Sequence, residues 1–256
     1  MKNKFHAPLM SLFFIGSLFF VGGTEVRGGS ESLSLFQKAN EAYQGGDYAK
    51  AASFYESLIT QGWKNPTVFY NLGNAYFKEK QLGRAILSYE KAKQLAPRDR
   101  DISANLAYVR GLLEYRMEDK RNSFTKGVET FLNSFTLEEI RIGSLTVGLV
   151  FWLAWIFPLY FGSDTWSWRR KLLVGLALGC VSLWVLKGIH AATVQEAVVL
   201  KDQAVVRYGP SHKDQVAFRL GEGMKVRLHK KAGEWGRITL INGETGWIFR
   251  EELGEI

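Results

Sequence analysis

Four histidines and one cysteine are the residues in this chain best suited to metal binding or nucleophilic chemistry, and their spacing speaks against both. His6, His190, His212 and His229 fall in four separate segments, with no pair four residues apart and no HExxH. A zinc site needs three or four nitrogen and sulfur ligands converging on one point, so no metal is expected. Cys180 sits within an apolar block; a thiol reacts as its thiolate, which needs a neighbouring base or positive charge. It reads instead as a small buried apolar residue, and a single cysteine allows no intramolecular disulfide. Glu138-Glu139 and Glu251-Glu252 are adjacent in sequence, so a helix or strand would aim the two carboxylates of each pair apart, as solvated charge. No phosphate-binding loop, GxSxG elbow or dinucleotide-binding glycine pattern occurs. The expectation is a non-enzymatic chain without cofactor, so function is sought in binding surfaces.

Those surfaces need elements to carry them. The chain of 256 residues is 46% hydrophobic, with 23% charged residues and a formal net charge of +8. Its apolar residues gather in three blocks, near 9–21, 142–161 and 172–194. The basic residues scatter from Lys2 to Arg250, the densest group being Arg169, Arg170 and Lys171 beside an apolar block. Nucleic-acid binding requires basic and aromatic residues clustered on one face, so no nucleic-acid partner is expected, and membrane lipid fits the charge better.

Residues 1–23 read as a signal sequence: Lys2 and Lys4 precede the apolar run Leu9 to Val21, and Gly22-Gly23 offers small residues for cleavage. An uncleaved anchor helix is the other reading, and both place the following residues outside the cytoplasm.

From 33 to 116 the chain repeats itself. At a shift of 34 residues Ala39 falls on Gly73, Asn40 on Asn74, Ala51 on Ala85 and Tyr55 on Tyr89. A third, partial copy begins after Pro97, with Asn71-Leu72-Gly73 falling on Asn105-Leu106-Ala107. Small residues let paired helices approach, aromatics fill the space between them, and neighbouring repeats bury the faces that a single repeat cannot. Leu72, Gly73, Tyr76, Ala85, Tyr89, Ala92 and Pro97 resemble the tetratricopeptide repeat, which implies an α-helical solenoid. Two positions depart from it: Ala42 stands where Tyr76 does, and Lys80 where Gly46 does.

Residues 117–141 read as a charged connector. Ile142 to Phe161 is twenty residues without a charge, long enough to cross a bilayer at 1.5 Å per residue. Leu172 to Val194 is a second candidate, with Lys187 and His190 near its end. The expectation is a transmembrane helical hairpin over 142–194. Its connecting loop carries Trp166, Trp168, Arg169, Arg170 and Lys171, the composition of a cytoplasmic interface. Both flanking modules would then be periplasmic, at a bacterial inner membrane.

From 196 to 256 the period changes to short alternating runs broken by Gly and by Asn242-Gly243, a tight-hairpin signal. Val206 to Ser211, Leu220-Gly221-Glu222-Gly223, Trp235 and Gly246-Trp247-Ile248 resemble the bacterial SH3-like domain, implying a small all-β barrel.

The tetratricopeptide resemblance implies a concave groove at Phe36, Asn40 and Tyr43 of repeat one and Tyr70, Asn74, Phe77 and Lys78 of repeat two. Asparagines there could hydrogen-bond the backbone amide groups of an extended peptide; packing against neighbouring helices is the other reading of the aromatics. Asp101 occupies the place of the basic clamp used for C-terminal carboxylates. In the SH3-like segment Tyr208, Trp235, Trp247 and Phe249 form either an aromatic groove or, for the two tryptophans, barrel core.

The order of signal, repeats, two membrane helices and SH3-like barrel is similar to that of BatE-type aerotolerance proteins. That resemblance implies a membrane-anchored scaffold for protein partners, von Willebrand A-type Bat proteins and a MoxR-type ATPase among them, in an aerotolerance or envelope-stress complex. The alternative is a sensor whose barrel binds peptidoglycan and signals through the hairpin.

Overall fold

The structure is a computed structural model that describes residues 29–113, 122–161 and 195–256, together with positions 172, 175–176, 178–185 and 187–188 between them. The expectations for residues 1–23 (signal sequence), for Trp166 to Lys171 and for the end of the second apolar block around His190 lie outside the described residues.

Five helices form the repeat module: α1 (Gly29–Gln44), α2 (Tyr48–Thr60), α3 (Pro66–Lys78), α4 (Leu82–Leu95) and α5 (Arg100–Gly111). Three of their starts are written locally. Asp47 accepts from Lys50 N at 3.2 Å and Asn65 from Thr67 N at 2.8 Å, with Pro66 in the first turn. Asp99 accepts from Asp101 N at 2.9 Å and Ile102 N at 3.1 Å. Each side chain satisfies a first-turn N–H that has no partner within its helix. Helices pair as α1 with α2 and α3 with α4, each new helix packing on the one before.

The small residues of the repeat act at contact distance. A Cβ added at Gly73 would stand 2.7 Å from the Tyr89 ring. Alanines 39, 51, 75 and 85 are fully buried in the same core, around Tyr55, Tyr76 and Tyr89. The two departures noted in the sequence fare differently. Ala42 packs against this core, half-buried. Gly46 turns the chain from α1 to α2 with φ of +81°, and Lys80 makes the same turn from α3 to α4 with φ of +62°. Left-handed backbone brings Cβ too close to the following carbonyl oxygen, so the turn asks for glycine and Lys80 holds it under strain.

Two further helices follow, α6 (Ser123–Asn133) and α7 (Leu137–Phe161). The expected transmembrane hairpin is overturned: among the described residues no helix is long and apolar enough to cross a membrane. The first turns of α7 carry Glu138, Glu139, Arg141, Ser144 and Thr146, and the second apolar block is described as helix only in pieces, the longest being 178–185. Polar ties bind this region to its surroundings. Arg98 pairs with Glu139, Ser144 Oγ donates to the Cys180 carbonyl at 3.1 Å, and Lys187 Nζ donates to the carbonyls of Leu132, at 2.7 Å, and Phe135. A lysine on the open carbonyls at a helix end stabilises that terminus.

The C-terminal module has seven antiparallel strands: β1 (Gln195–Val199), β2 (Ala204–Arg207), β3 (Val216–Leu220), β4 (Lys225–Ala232), β5 (Trp235–Thr239), β6 (Thr245–Phe249) and β7 (Leu253–Glu255). They run in the order β3-β2-β6-β5-β4-β1-β7. The closed barrel expected from the sequence is therefore corrected to an open sheet, with β3 and β7 at its two edges. The physical reason lies in the ends. The β2–β6 junction pairs only Arg207 with Trp247, and β7 is three residues long and packs with β1 against helix α4. The edge that would have closed the barrel is covered by a helix, which is another way to protect an edge strand. One face buries Val199, Val206, Leu228, Ile238 and Ile248 as a second core.

The strain at Lys80 makes a prediction. Lys80→Gly should stabilise the repeat module by about 1 kcal/mol, the relief of left-handed strain less the entropy glycine adds to the unfolded chain. Urea unfolding followed by helical circular dichroism checks it, and an unchanged or lower midpoint would show that the turn is not strained.

Candidate functional site

A tyrosine buried between two helices needs a hydroxyl partner, and asparagine supplies it at the same place in both repeats. Tyr55 on α2 donates to Asn40 Oδ1 of α1 at 2.6 Å, and Tyr89 on α4 donates to Asn74 Oδ1 of α3 at 2.6 Å. The same oxygens accept from the following repeat: Asn71 Nδ2 reaches Asn40 Oδ1 at 3.3 Å, and Asn105 Nδ2 reaches Asn74 Oδ1 at 3.1 Å. Asn105 also donates to the Tyr70 hydroxyl at 2.9 Å. The carboxamide oxygens of Asn40 and Asn74 are thus committed inside the array. Burial, ahead of any other cause, raises the Tyr55 hydroxyl to about 12 and pushes those of Tyr76 and Tyr89 upward as well.

Beside this ladder lies a concavity of about 320 Å³ lined by Tyr43, Tyr70, Asn74, Phe77, Lys78, Tyr89, Asn105, Tyr108 and Val109. Of the groove residues expected from the sequence, the structure brings together Tyr43, Tyr70, Asn74, Phe77 and Lys78. Phe36 and Asn40 stand apart from it: Phe36 packs edge-on to Tyr55, ring centres 6.1 Å apart, and Asn40 belongs to the ladder. Tyr70 and Phe77 both pack on the core and face the cavity, Tyr70 against Tyr89 at 5.9 Å and Phe77 against Tyr108 at 5.8 Å. Tyr89, Asn105 and Tyr108 were not singled out from the sequence as groove residues. The signal for two of them was there, since the 34-residue shift carries Asn71 onto Asn105 and Asn74 onto Tyr108.

Lys78 is the one charged residue in this lining. Asp101 is exposed in the first turn of α5 and does not line the cavity. The site therefore offers aromatic walls, an asparagine ladder and a single ammonium. Such a surface suits an extended segment whose side chains enter between the rings.

On the β-module the four aromatic residues differ in burial: Trp235 is buried, Trp247 and Phe249 are half-buried and Tyr208 is exposed. Strand alternation puts Ile238 and Ile248 into the buried face, so their neighbours Trp235, Trp247 and Phe249 lie on the other one. Trp235 pairs across strands with Phe249, ring centres 5.6 Å apart, and Trp247 pairs with Arg237. His212 completes the cluster, 5.0 Å from Trp235 and 5.7 Å from Phe249. Tyr208 is 70% exposed nearby in sequence. Trp235 is nonetheless buried, 8% exposed, in keeping with the core reading, whereas Trp247 and Phe249 are half-buried on this outer face. His212 was missed as a member of it because it lies in a loop whose spacing carries no pattern.

A second concavity, about 470 Å³, opens where the modules meet, between Arg84, Leu200, Lys201, Phe249, Glu251 and Glu252. Lys201 and Glu252 pair across it at 2.7 Å.

Comparison with known families fits both modules. The tetratricopeptide repeat family model matches residues 66–99, and the bacterial SH3 domain model matches residues 200–255. No curated protein matches the chain. The repeat and SH3-type modules read from the sequence are supported, and both module types suit protein partners.

The ladder can be tested by mutation and by pH. Asn74→Ala leaves the buried Tyr89 hydroxyl without its acceptor and should cost about 1–3 kcal/mol, whereas Asn74→Ala combined with Tyr89→Phe should recover part of that loss. A double-mutant cycle in urea measures the coupling, and additive losses would show no interaction. As for pH, the raised tyrosines stay neutral in the fold while free tyrosine ionises near about 10. Their contribution is intact below that pH and declines above it, as the unfolded chain ionises first. Part of the tyrosinate absorbance should then appear only together with loss of helical circular dichroism; if all of it rises while the helices persist, burial does not protect the hydroxyls.

Proposed function

We propose that the protein is a non-catalytic adaptor, which takes an extended peptide segment of a partner in the α3–α5 groove and a second ligand on the aromatic face of its β-module. The observation that carries this reading is the state of the asparagine ladder. With Oδ1 of Asn74 accepting from Tyr89 and Asn105, its Nδ2 is the group left to face the cavity. The groove therefore presents a fixed donor, which a backbone carbonyl of an extended ligand satisfies without regard to side-chain sequence. Tyr70, Phe77 and Tyr108 supply apolar selectivity around it, and Lys78 favours a neutral or acidic segment.

The aromatic face supports a second ligand. Trp247, Phe249 and His212 form a ring-bearing surface with Arg237 beside it, and the buried Trp235 packs against Phe249 and His212. Aromatic faces stack on the apolar sides of sugar rings as well as on peptides, and the match to the bacterial SH3 domain favours peptidoglycan as the ligand. Two modest sites on one chain give a partner that touches both a high effective concentration at the second. The leader-like start of the sequence supports work outside the cytoplasm. The resemblance to BatE-type proteins suggests an aerotolerance or envelope-stress assembly, with von Willebrand A-type Bat proteins and a MoxR-type ATPase as candidate partners.

The test is selection of binding peptides against the full chain, repeated with Asn74→Asp. Aspartate keeps acceptor oxygens for Tyr89 and Asn105 and removes the donor, so selected peptides should lose roughly tenfold or more in affinity, about 1.4 kcal/mol, while the fold persists. Equal affinity for both proteins would dismiss the donor role. Sedimentation with purified cell wall, alongside Trp247→Ala, decides the second site.

A further inference from the structure

The 34-residue repeat allows the outer face of helix α4 to be compared with its own counterpart in the same chain. In repeat one, Ala49, Ser53, Glu56 and Ser57 stand on the outer face of α2, and all four are exposed. At the corresponding positions of α4 stand Gly83, Leu87, Glu90 and Lys91; Gly83 and Glu90 are buried, and Leu87 and Lys91 half-buried. What covers them is the β-module. An added Cβ at Gly83 would lie 2.9 Å from the Val199 carbonyl oxygen and 3.1 Å from Leu200 Cα, and one at Gly254 would overlap Leu87. Val198 and Ile256 pack into the core of the repeat module itself.

The covering reaches across the array to α5. Gly223, with φ of +80°, sits against Ile86 of α4 and Leu113 just beyond α5, where an added Cβ would come within 2.6 and 2.9 Å. Glu90, 6% exposed, joins Arg110 of α5 and, at 3.5 Å, Lys225 of β4; Lys225 also pairs with Glu196 of β1 at 2.6 Å. Burial lowers the Lys91 ammonium from its ordinary range, and Glu255 of β7 opposes that shift.

In repeats one and two the first helix is covered by a second, α1 by α2 and α3 by α4. Among the described elements no helix pairs with α5 in that way, and the corner between α4 and the end of α5 holds the turn before β4 instead. A solenoid end left open exposes apolar surface, so arrays need a terminal unit with a polar outside.

We propose that the β-module is the C-terminal cap of the repeat array, standing where the second helix of a third repeat would lie, so that the two modules form one cooperative unit. The cap also fixes a groove wall. Asn105, Tyr108 and Val109 of α5 line the cavity, while Leu113, one turn beyond Val109, meets Gly223 of the β-module and Arg110 is joined to it only through Glu90. The cap holds whichever ligand the groove takes, and its failure would leave the adaptor reading untouched.

Restoring the repeat-one residues tests it. The double variant Gly83→Ala/Leu87→Ser gives α4 the small outer face that α2 presents at Ala49 and Ser53, which an uncovered helix tolerates. Hydrogen exchange of the full chain should then accelerate roughly tenfold or more both in α5 and in β1 and β7, the far sides of the junction. Exchange in those segments within about twofold of the parent chain would overturn the cap. Should the double variant fail to fold, the milder Gly83→Ala alone decides. Alanine in the first turn of an uncovered helix slows α4 exchange or leaves it unchanged, whereas against the Val199 and Leu200 backbone it must accelerate exchange in α4 and β1 together. A slowed or unchanged α4 with β1 unchanged would refute the proposal.

Discussion

A phenol closed in between two helices sets the terms for the rest of the repeat module. Its ring fills the gap that small residues open, and its hydroxyl must find an acceptor where water does not reach. Asn40 and Asn74 meet that need for Tyr55 and Tyr89 with the same 2.6 Å geometry. Because each asparagine oxygen also accepts from the next first helix, the bond that satisfies one repeat positions the following one. The ladder thereby fixes how α3 lies on α1 and how α5 lies on α3. The cavity walls follow from that spacing, since Tyr70, Asn74 and Asn105 are members of the ladder and of the lining at once.

Much of this could be read from the chain. A period of 34 residues with small and aromatic positions in phase is a long-range pattern, and it marks Gly73, Asn74 and Tyr89 in the sequence itself. Strand alternation marked the β-module equally well, but closure of a sheet is decided by where its ends travel. Nothing in the alternation of β7 says that three residues will lie against a helix rather than beside β3. The hydropathy of 142–194 was read as a membrane hairpin because a run without charge is a strong local signal. The helices that carry it are framed by Glu138, Glu139, Arg141 and Lys187, with polar ties to α6 and to Arg98. A window over residue types does not register such ties.

The docking of the modules was invisible for a different reason. Repeats are found by what their copies share, whereas an interface shows in what they do not share. Ala49 against Gly83 and Ser53 against Leu87 look like ordinary drift at surface positions until burial is compared. Gly83, in the first turn of α4, is informative because glycine is a poorer helix former than alanine, the residue that repeat one keeps there. Its presence calls for a compensating contact, and the backbone of Val199 and Leu200 provides one.

This junction changes what the two proposed binding surfaces can do on one chain. Modules on a flexible tether sample many separations, so partners of many lengths profit from linkage, each by a moderate amount. Modules packed backbone to side chain through Gly83, Gly223 and Gly254 have little slack. A groove and an aromatic face held at one separation favour ligands whose own spacing matches it and give no linkage gain to those too short to span it. Selectivity then comes from ligand geometry, which neither module could read alone. On the proposed reading the groove itself needs only a backbone carbonyl opposite Asn74 and apolar groups between its rings. A permissive groove on a fixed frame can therefore be selective as a whole, with the discrimination residing in the packing between α4 and the edge of a sheet.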